Sequence, residues 1–207
     1  MMKPFYSFSY FLCQSISRLI FHCSIKGREN IPESGPFIVA SNHIAYFDPV
    51  IIGSILKREI AYLAKVELFD QFLFKNLIKN LNAFPVQRGK SNITSMKTCL
   101  KILKDLKMPL LIFPEGTRIK TGKLGTPQRG IAFISAQTKV PILPVYIENT
   151  DRLVACALFL KRLRVSIGKP LMSSEYQHLF ANEKRYYKLA QMIMAKIQKL
   201  KDQIHAS

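Results

Sequence analysis

Short apolar runs bound what this chain can fold into. Residues 36–41 (PFIVAS) and 109–113 (PLLIF) carry no charge and are too short for helices, so both read as buried strands. Further strands are expected at 60–64 (IAYLA), 83–86, 142–147 and 163–168 (LRVSIG). Segments of helical character fill the gaps at 49–57, 66–81, 91–107 and 128–138, and a long one closes the chain at about 182–203. The clearest is 91–107. There Ile93, Met96, Leu100, Leu103 and Leu106 form one apolar stripe, with Lys97, Lys101, Lys104 and Lys107 beside or opposite it. The segment 66–81 is apolar on more than one face and favours contact with lipid or an acyl chain. The two prolines Pro141 and Pro144 demote the 142–147 strand to a sheet edge or a shaped wall. Strands alternating with helices predict an α/β fold: a single domain whose mixed sheet is covered by helices. No Gly/Ser-rich linker or internal repeat divides the 207 residues.

Charge narrows the partners. Thirty-one Lys and Arg face thirteen Asp and Glu, a formal net charge of +18, while 48% of the chain is hydrophobic. The charge alone fits nucleic acid, anionic lipid or phosphorylated metabolites. Basic and apolar together favour a membrane surface, and no nucleic-acid-binding motif or stacking signature is present. The four cysteines lack paired spacing and read as small buried hydrophobes.

At the N-terminus, Phe5, Phe8, Leu12, Ile16 and Leu19 recur at helical spacing. Arg18, Gln14 and several serines argue against a spanning helix, and no signal-peptide cleavage site follows. Two placements fit: a helix half sunk in a membrane interface with Arg18 snorkelling, or a first helix packed on the domain. The expected division is an amphipathic, membrane-contacting helix at 1–24 ahead of a catalytic-type domain at 25–207.

Four motifs carry possible chemistry. In Ser41-Asn42-His43-Ile44-Ala45-Tyr46-Phe47-Asp48-Pro49, Pro49 suits the first position of a helix and makes Asp48 its expected N-cap. The turn before it can fold the Asp48 carboxylate onto the His43 imidazole, fixing its tautomer and leaving the other nitrogen to accept a proton. From spacing alone, the plainer assignment of Asp48 to a cap and His43 to a loop is favoured. Phe113-Pro114-Glu115-Gly116-Thr117-Arg118 follows a strand, where α/β domains bind ligands, and Arg118 offers a fork that matches phosphate oxygens. Phe84-Pro85-Val86-Gln87-Arg88 places a second arginine just past a strand. Val140-Pro141-Ile142-Leu143-Pro144-Val145 has no chemistry of its own.

Each motif singly is weak; the four in this order resemble the glycerophospholipid acyltransferase family, which includes the 1-acyl-glycerol-3-phosphate acyltransferases. The resemblance runs from about residue 25 to 170. It implies His43 as catalytic base and Asp48 as the residue orienting it. It implies Arg88, Glu115, Gly116, Thr117 and Arg118 on the acceptor-phosphate side and Pro144 on the acyl-donor side. Gln87 and Asn82 depart from the usual acidic residue and glycine and leave the acceptor open. The implied reaction is direct transfer from an acyl thioester, acyl-CoA or acyl-ACP, to a hydroxyl of 1-acyl-glycerol-3-phosphate. Glycerol-3-phosphate, another lysophospholipid or a lyso-aminolipid is the alternative acceptor. No cofactor beyond that co-substrate is expected, and no metal, since no His/Cys cluster has ligand spacing. The expected partners are an anionic bilayer surface, a lysophospholipid and CoA or acyl carrier protein. The expected location is peripheral or monotopic on the cytoplasmic face of a membrane. A catalytically silent, basic lipid-binding module is the non-enzyme alternative.

Overall fold

The computed structural model describes residues 2–87, 93–181 and 185–206. Its strands are β1 (Ser24–Lys26), β2 (Ile38–Ser41), β3 (Tyr62–Lys65), β4 (Ala83–Val86), β5 (Leu110–Ile112), β6 (Ile142–Glu148) and β7 (Arg164–Ile167). Its helices are α1 (Pro4–Leu19), α2 (Asp48–Ile55), α3 (Phe72–Asn80), α4 (Ile93–Lys104), α5 (Arg129–Thr138), α6 (Leu153–Ala157), α7 (Ser173–Tyr176) and α8 (Arg185–His205). Five strands form one sheet in the order β1-β7-β6-β2-β5. All neighbours are parallel except β6 and β7, which makes the sheet mixed. The parallel pair β3–β4 hangs from the β5 edge through a bridge between Ala61 and Leu110.

The central strands are apolar throughout because both faces are covered. Ile38, Ala40, Leu110, Ile112 and Ile142 face a core shared with α4, α5 and α8. Phe37, Val39, Leu111, Leu143 and Val145 face the other core, with Ile51, Ile52 and Ile55 of α2 and Cys156 of α6. From α8, Leu189, Ile193, Ile197, Leu200 and Ile204 recur every three or four residues and all lie in the first core. Gly27, at φ +81, lets β1 close against β7, since a Cβ there would sit 2.0 Å from the Ile167 carbonyl oxygen.

Three expectations change. The strand at 142–147 is central rather than an edge, pairing with β2 on one side and β7 on the other. Its proline is tolerated because the missing Pro144 donor falls opposite Gly168, one residue past the end of β7, where only Gly168 N–H to Pro144 O is made (2.9 Å). The segment 66–81 is not one helix but a 3-10 turn at Val66–Phe69 followed, after an extended Gln71, by α3. Its apolar residues fall on more than one face of a single helix because they belong to two short elements: Phe69 is buried from the first and Ile78 from the second. In α4 the buried stripe is Cys99, Ile102 and Leu103, while Ile93 and Leu106 are exposed. Cysteine packs there as a hydrophobe and rotates the buried face. Residues 91–92 and 182–184, the ends of two expected helices, lie outside the described residues.

Helix α1 packs on α2 through its polar-tipped side. Tyr6 and Tyr10 are buried; the Tyr6 hydroxyl accepts from Ile60 N–H (3.2 Å), and the Gln14 amide reaches the Ser54 carbonyl (3.3 Å). Phe5, Phe8, Phe11, Leu12 and Leu19 are left on the outside.

Candidate active site

The site forms at the carboxyl ends of β2 and β5, where parallel α/β sheets place their ligands. Strand β2 ends at Ser41, and the next side chain extends its pairing. Asn42 copies a peptide group, accepting from Ile147 N–H and donating to Ile147 O, both at 2.9 Å. That amide pairing fixes the level at which His43 leaves the sheet.

His43 is 7% exposed and held from four directions. Its backbone N–H donates to Glu115 Oε2 (2.8 Å), and its carbonyl accepts from Ile119 N–H (2.8 Å). Its ring stacks on Phe113 at 3.9 Å between centroids, nearly parallel at 11°. Its Nδ1 lies 2.7 Å from Asp48 Oδ2. A carboxylate only accepts, so Nδ1 carries the proton and Nε2 keeps its lone pair. Among the described residues no protein group bonds Nε2.

Asp48 is not an N-cap. It is the first residue of α2, and Phe47 takes the cap position without a side-chain bond. The carboxylate instead folds back over the turn: Oδ2 accepts from Ile44 N–H (2.6 Å) and Ala45 N–H (2.9 Å) as well as from His43. Its other oxygen, Oδ1, accepts from the Thr150 hydroxyl. Both residues are fully or almost fully buried. The cap assignment fails because these donors, together, outweigh anything the α2 N-terminus offers.

The loop after β5 supplies the opposite wall. A turn closed by Gly116 N–H to Phe113 O (3.0 Å) ends at Gly116, where the chain turns away at φ +70, which glycine adopts without strain. Glu115 is buried, with Oε2 on His43 N–H and Oε1 on Gly125 N–H (2.7 Å). Burial raises the Glu115 pKa, partly offset by those two bonds to its charged form. Its oxygens are thus committed to holding the histidine turn and the 115–125 loop together. Thr117 is exposed. The Arg118 guanidinium lies 3.5 Å above the centre of the Tyr46 ring. Stacked by its face, it keeps its N–H edge for an oxyanion.

Residues 22–148 match the sequence profile of the family described as Acyltransferase. The chain belongs to that family. This acyltransferase is 32% identical over 180 residues to the 1-acyl-sn-glycerol-3-phosphate acyltransferase of Bacillus subtilis, a match covering 86% of each chain. It is 29% identical to the chloroplastic 1-acyl-sn-glycerol-3-phosphate acyltransferase of Arabidopsis thaliana, of which the match covers 53%. Its fold is similar to that of the 1-acyl-sn-glycerophosphate acyltransferase of Thermotoga maritima, with a TM-score of 0.72 over 95% of this chain and 80% of the other at 22% identity.

The acyltransferase fold thus gathers His43, Asp48, Glu115, Gly116 and Arg118 into one turn and its facing loop. Arg88 lies outside the described residues. Pro144 is not part of the gathering: it is buried in β6 beside Gly168, at the other end of the strand from Ile147. A cleft of about 520 Å³ lined by Pro144, Gly168, Lys169, Lys196 and Lys199 opens at that far end and does not include His43.

Sequence reasoning missed Asn42, Phe113 and Thr150. Asn42 had a local signal, an amide at the exact end of a strand-to-histidine turn's first residue, but its partner Ile147 is 105 residues away. Thr150 is 102 residues from Asp48 and had none. Replacing Thr150 with Val keeps the shape and leaves Oδ1 buried without a donor. The expected stability loss is about 1–3 kcal/mol, with a fall in kcat, while Thr150→Ser retains both. Thermal melts and initial rates on the two variants check this.

Proposed function

We propose that the protein transfers a fatty acyl chain from an acyl thioester to the free hydroxyl of 1-acyl-glycerol-3-phosphate, giving phosphatidic acid. The observation that carries this is the buried His43–Asp48 pair, which leaves Nε2 as the free ring nitrogen on a turn whose Tyr46 ring carries the Arg118 guanidinium. The names of the relatives in Bacillus subtilis and Arabidopsis thaliana support the acceptor. In the proposed step His43 Nε2 takes the acceptor hydroxyl proton as its oxygen attacks the thioester carbonyl. The tetrahedral intermediate collapses, the C–S bond breaks, and the thiolate leaves as a thiol with the proton that His43 held. Asp48 stabilises the imidazolium between those events. The thiol is coenzyme A or acyl carrier protein, and no other cofactor enters.

Arg118, with Arg88, binds the acceptor phosphate in this reading. Glu115 and Gly116 act indirectly, through the loop that bears Arg118 and the turn that bears His43. The protein sits peripherally or monotopically on a membrane, on the cytoplasmic side where thioester donors are made. Among the described residues no helix is long and apolar enough to cross a membrane. The +18 charge and the outward apolar side of α1 support binding to an anionic surface.

The reaction is tested with purified protein, a labelled thioester and a panel of lysolipids and glycerol-3-phosphate, the products read by mass. The proposal expects phosphatidic acid; product from another acceptor alone refutes the acceptor. Arg118→Ala is expected to raise the acceptor KM about tenfold or more, the cost of a charged hydrogen bond, with little change in donor KM. Arg118→Lys rescues poorly because a point charge neither stacks on Tyr46 nor forks. The same split is expected for Arg88→Ala.

A further inference from the structure

Residues 153–160 (LVACALFL) are eight apolar residues in a row, set between Asp151-Arg152 and Lys161-Arg162, and the transfer step uses none of them. The short α6 has a core to serve, and it serves it with two residues: Cys156 is fully buried and Leu153 packs against the same cluster. The rest is left over. Val154 is 76% exposed, Leu158 62%, Phe159 77% and Leu160 75%. Single exposed apolar residues are ordinary; a ridge of them is not.

The ridge is a built feature. Leu158 N–H bonds Val154 O, Phe159 N–H bonds Cys156 O, and the N–H groups of Leu160 and Lys161 both reach Ala155 O. Phe159 is held at φ +60, a left-handed conformation that a bulky L-residue adopts only where its surroundings enforce it. Its ring stacks on His22 at 3.8 Å. His22 follows Leu19 and Ile20, the exposed end of α1, so the stack sets the ridge beside the end of the helix that carries Phe5, Phe8, Phe11 and Leu12 on its outside. Two exposed apolar segments far apart in sequence thereby meet at this stack.

The geometry points to residues 158–160 as a bilayer-inserting tip that, with the outward side of α1, docks the protein on an anionic lipid surface. This rests on the membrane-bound reading given above and names the residues that enter the lipid. Charge selects lipid over a second copy of the chain. Lys161 and Arg162 follow the tip, Arg152 precedes it and Arg18 stands in the last turn of α1, all exposed. Asp151, 3.8 Å from Arg152, offsets one of these charges, and the cations that remain around the apolar ridge suit anionic headgroups. Across a two-fold interface they would face one another.

The chain contains no tryptophan, so Phe159→Trp installs a single reporter. Tyr187→Trp on α8, which packs against the other side of the sheet, is the control. With vesicles of phosphatidylglycerol and phosphatidylcholine, emission from position 159 is expected to shift to the blue and to be quenched by brominated acyl chains; position 187 does neither. Leu158→Ser, Phe159→Ser and Leu160→Ser combined weaken partitioning by about tenfold for each side chain withdrawn from lipid, with transfer to detergent-dispersed acceptor unchanged. Wild-type protein that fails to float with these vesicles refutes the membrane reading and the tip together. Flotation with an unshifted reporter at 159 refutes the tip and leaves the membrane reading standing. A blue shift that grows with protein concentration without lipid assigns the ridge to a second copy and overturns the proposal.

Discussion

His43→Ala removes acyl transfer to the level of the remaining positioning machinery, a fall of about 10²–10⁴-fold in kcat from loss of the general base alone. The variant does not melt as wild type. The imidazole fills a buried place against Phe113 and satisfies one of the contacts to Asp48 Oδ2. Its removal costs about 1–2 kcal/mol, since Ile44 N–H, Ala45 N–H and the Thr150 hydroxyl still hold the carboxylate. For a chain of this size that lowers Tm by about 2–8 °C. Initial rates at saturating substrates and a thermal melt on the same preparation separate the two effects. Turnover within tenfold of wild type by a folded variant would remove His43 from the mechanism.

Asp48→Asn isolates the charge. The amide has only one orientation that fits. Two backbone N–H groups, from Ile44 and Ala45, point at the Oδ2 position, so the amide oxygen must occupy it and the NH₂ must face Thr150. The threonine hydroxyl can turn from donor to acceptor, which leaves the hydrogen bonds complete. His43 Nδ1–H still finds an oxygen, so the ring keeps its tautomer. What disappears is the negative charge that stabilises the imidazolium. The expected loss is about 10²–10³-fold in kcat, the range for removing one buried electrostatic partner of a transition state, with Tm within a few degrees of wild type. If Asp48 only folded the turn, Asp48→Asn would turn over normally; thermal melts beside initial rates decide. The double variant with Thr150→Val sharpens the point. Valine cannot accept from the new amide, so the pair should lose about as much stability as Thr150→Val alone, one buried polar atom being unpaired in either case, and more than Asp48→Asn.

The fold could be read from the chain because β2, β5 and β6 are buried on both faces and advertise themselves as short apolar runs. Strand β1 could not: its three residues, Ser24, Ile25 and Lys26, lie at a sheet edge and owe their conformation to β7. The orientation of α1 was open for a related reason. Its apolar stripe suggested either lipid or core, and it is Tyr6, Tyr10 and Gln14, with polar ends needing partners, that face the domain. At the site, the sequence put His43 and Asp48 close but could not orient them. A five-residue offset diverges on a helix and converges only if the turn folds back, and the donors that fold it back are backbone groups, which every sequence has. Glu115 was visible as part of a motif, but its work on two main-chain N–H groups was not.

The Thr150 and Ile147 contacts have a consequence for when the catalyst comes into being. Residues 42–48 leave the ribosome early, with α1 and its outward phenylalanines already made. Asp48 gains its last bond only when Thr150 has been synthesised, 102 residues later, and Asn42 waits as long for Ile147. At about 5–20 residues per second, the nascent chain carries an unsupported histidine for about 5–20 s. A product cut short before Thr150 can therefore reach a lipid surface with its base only partly braced, and a fully braced site forms only once residues 147–150 have been made.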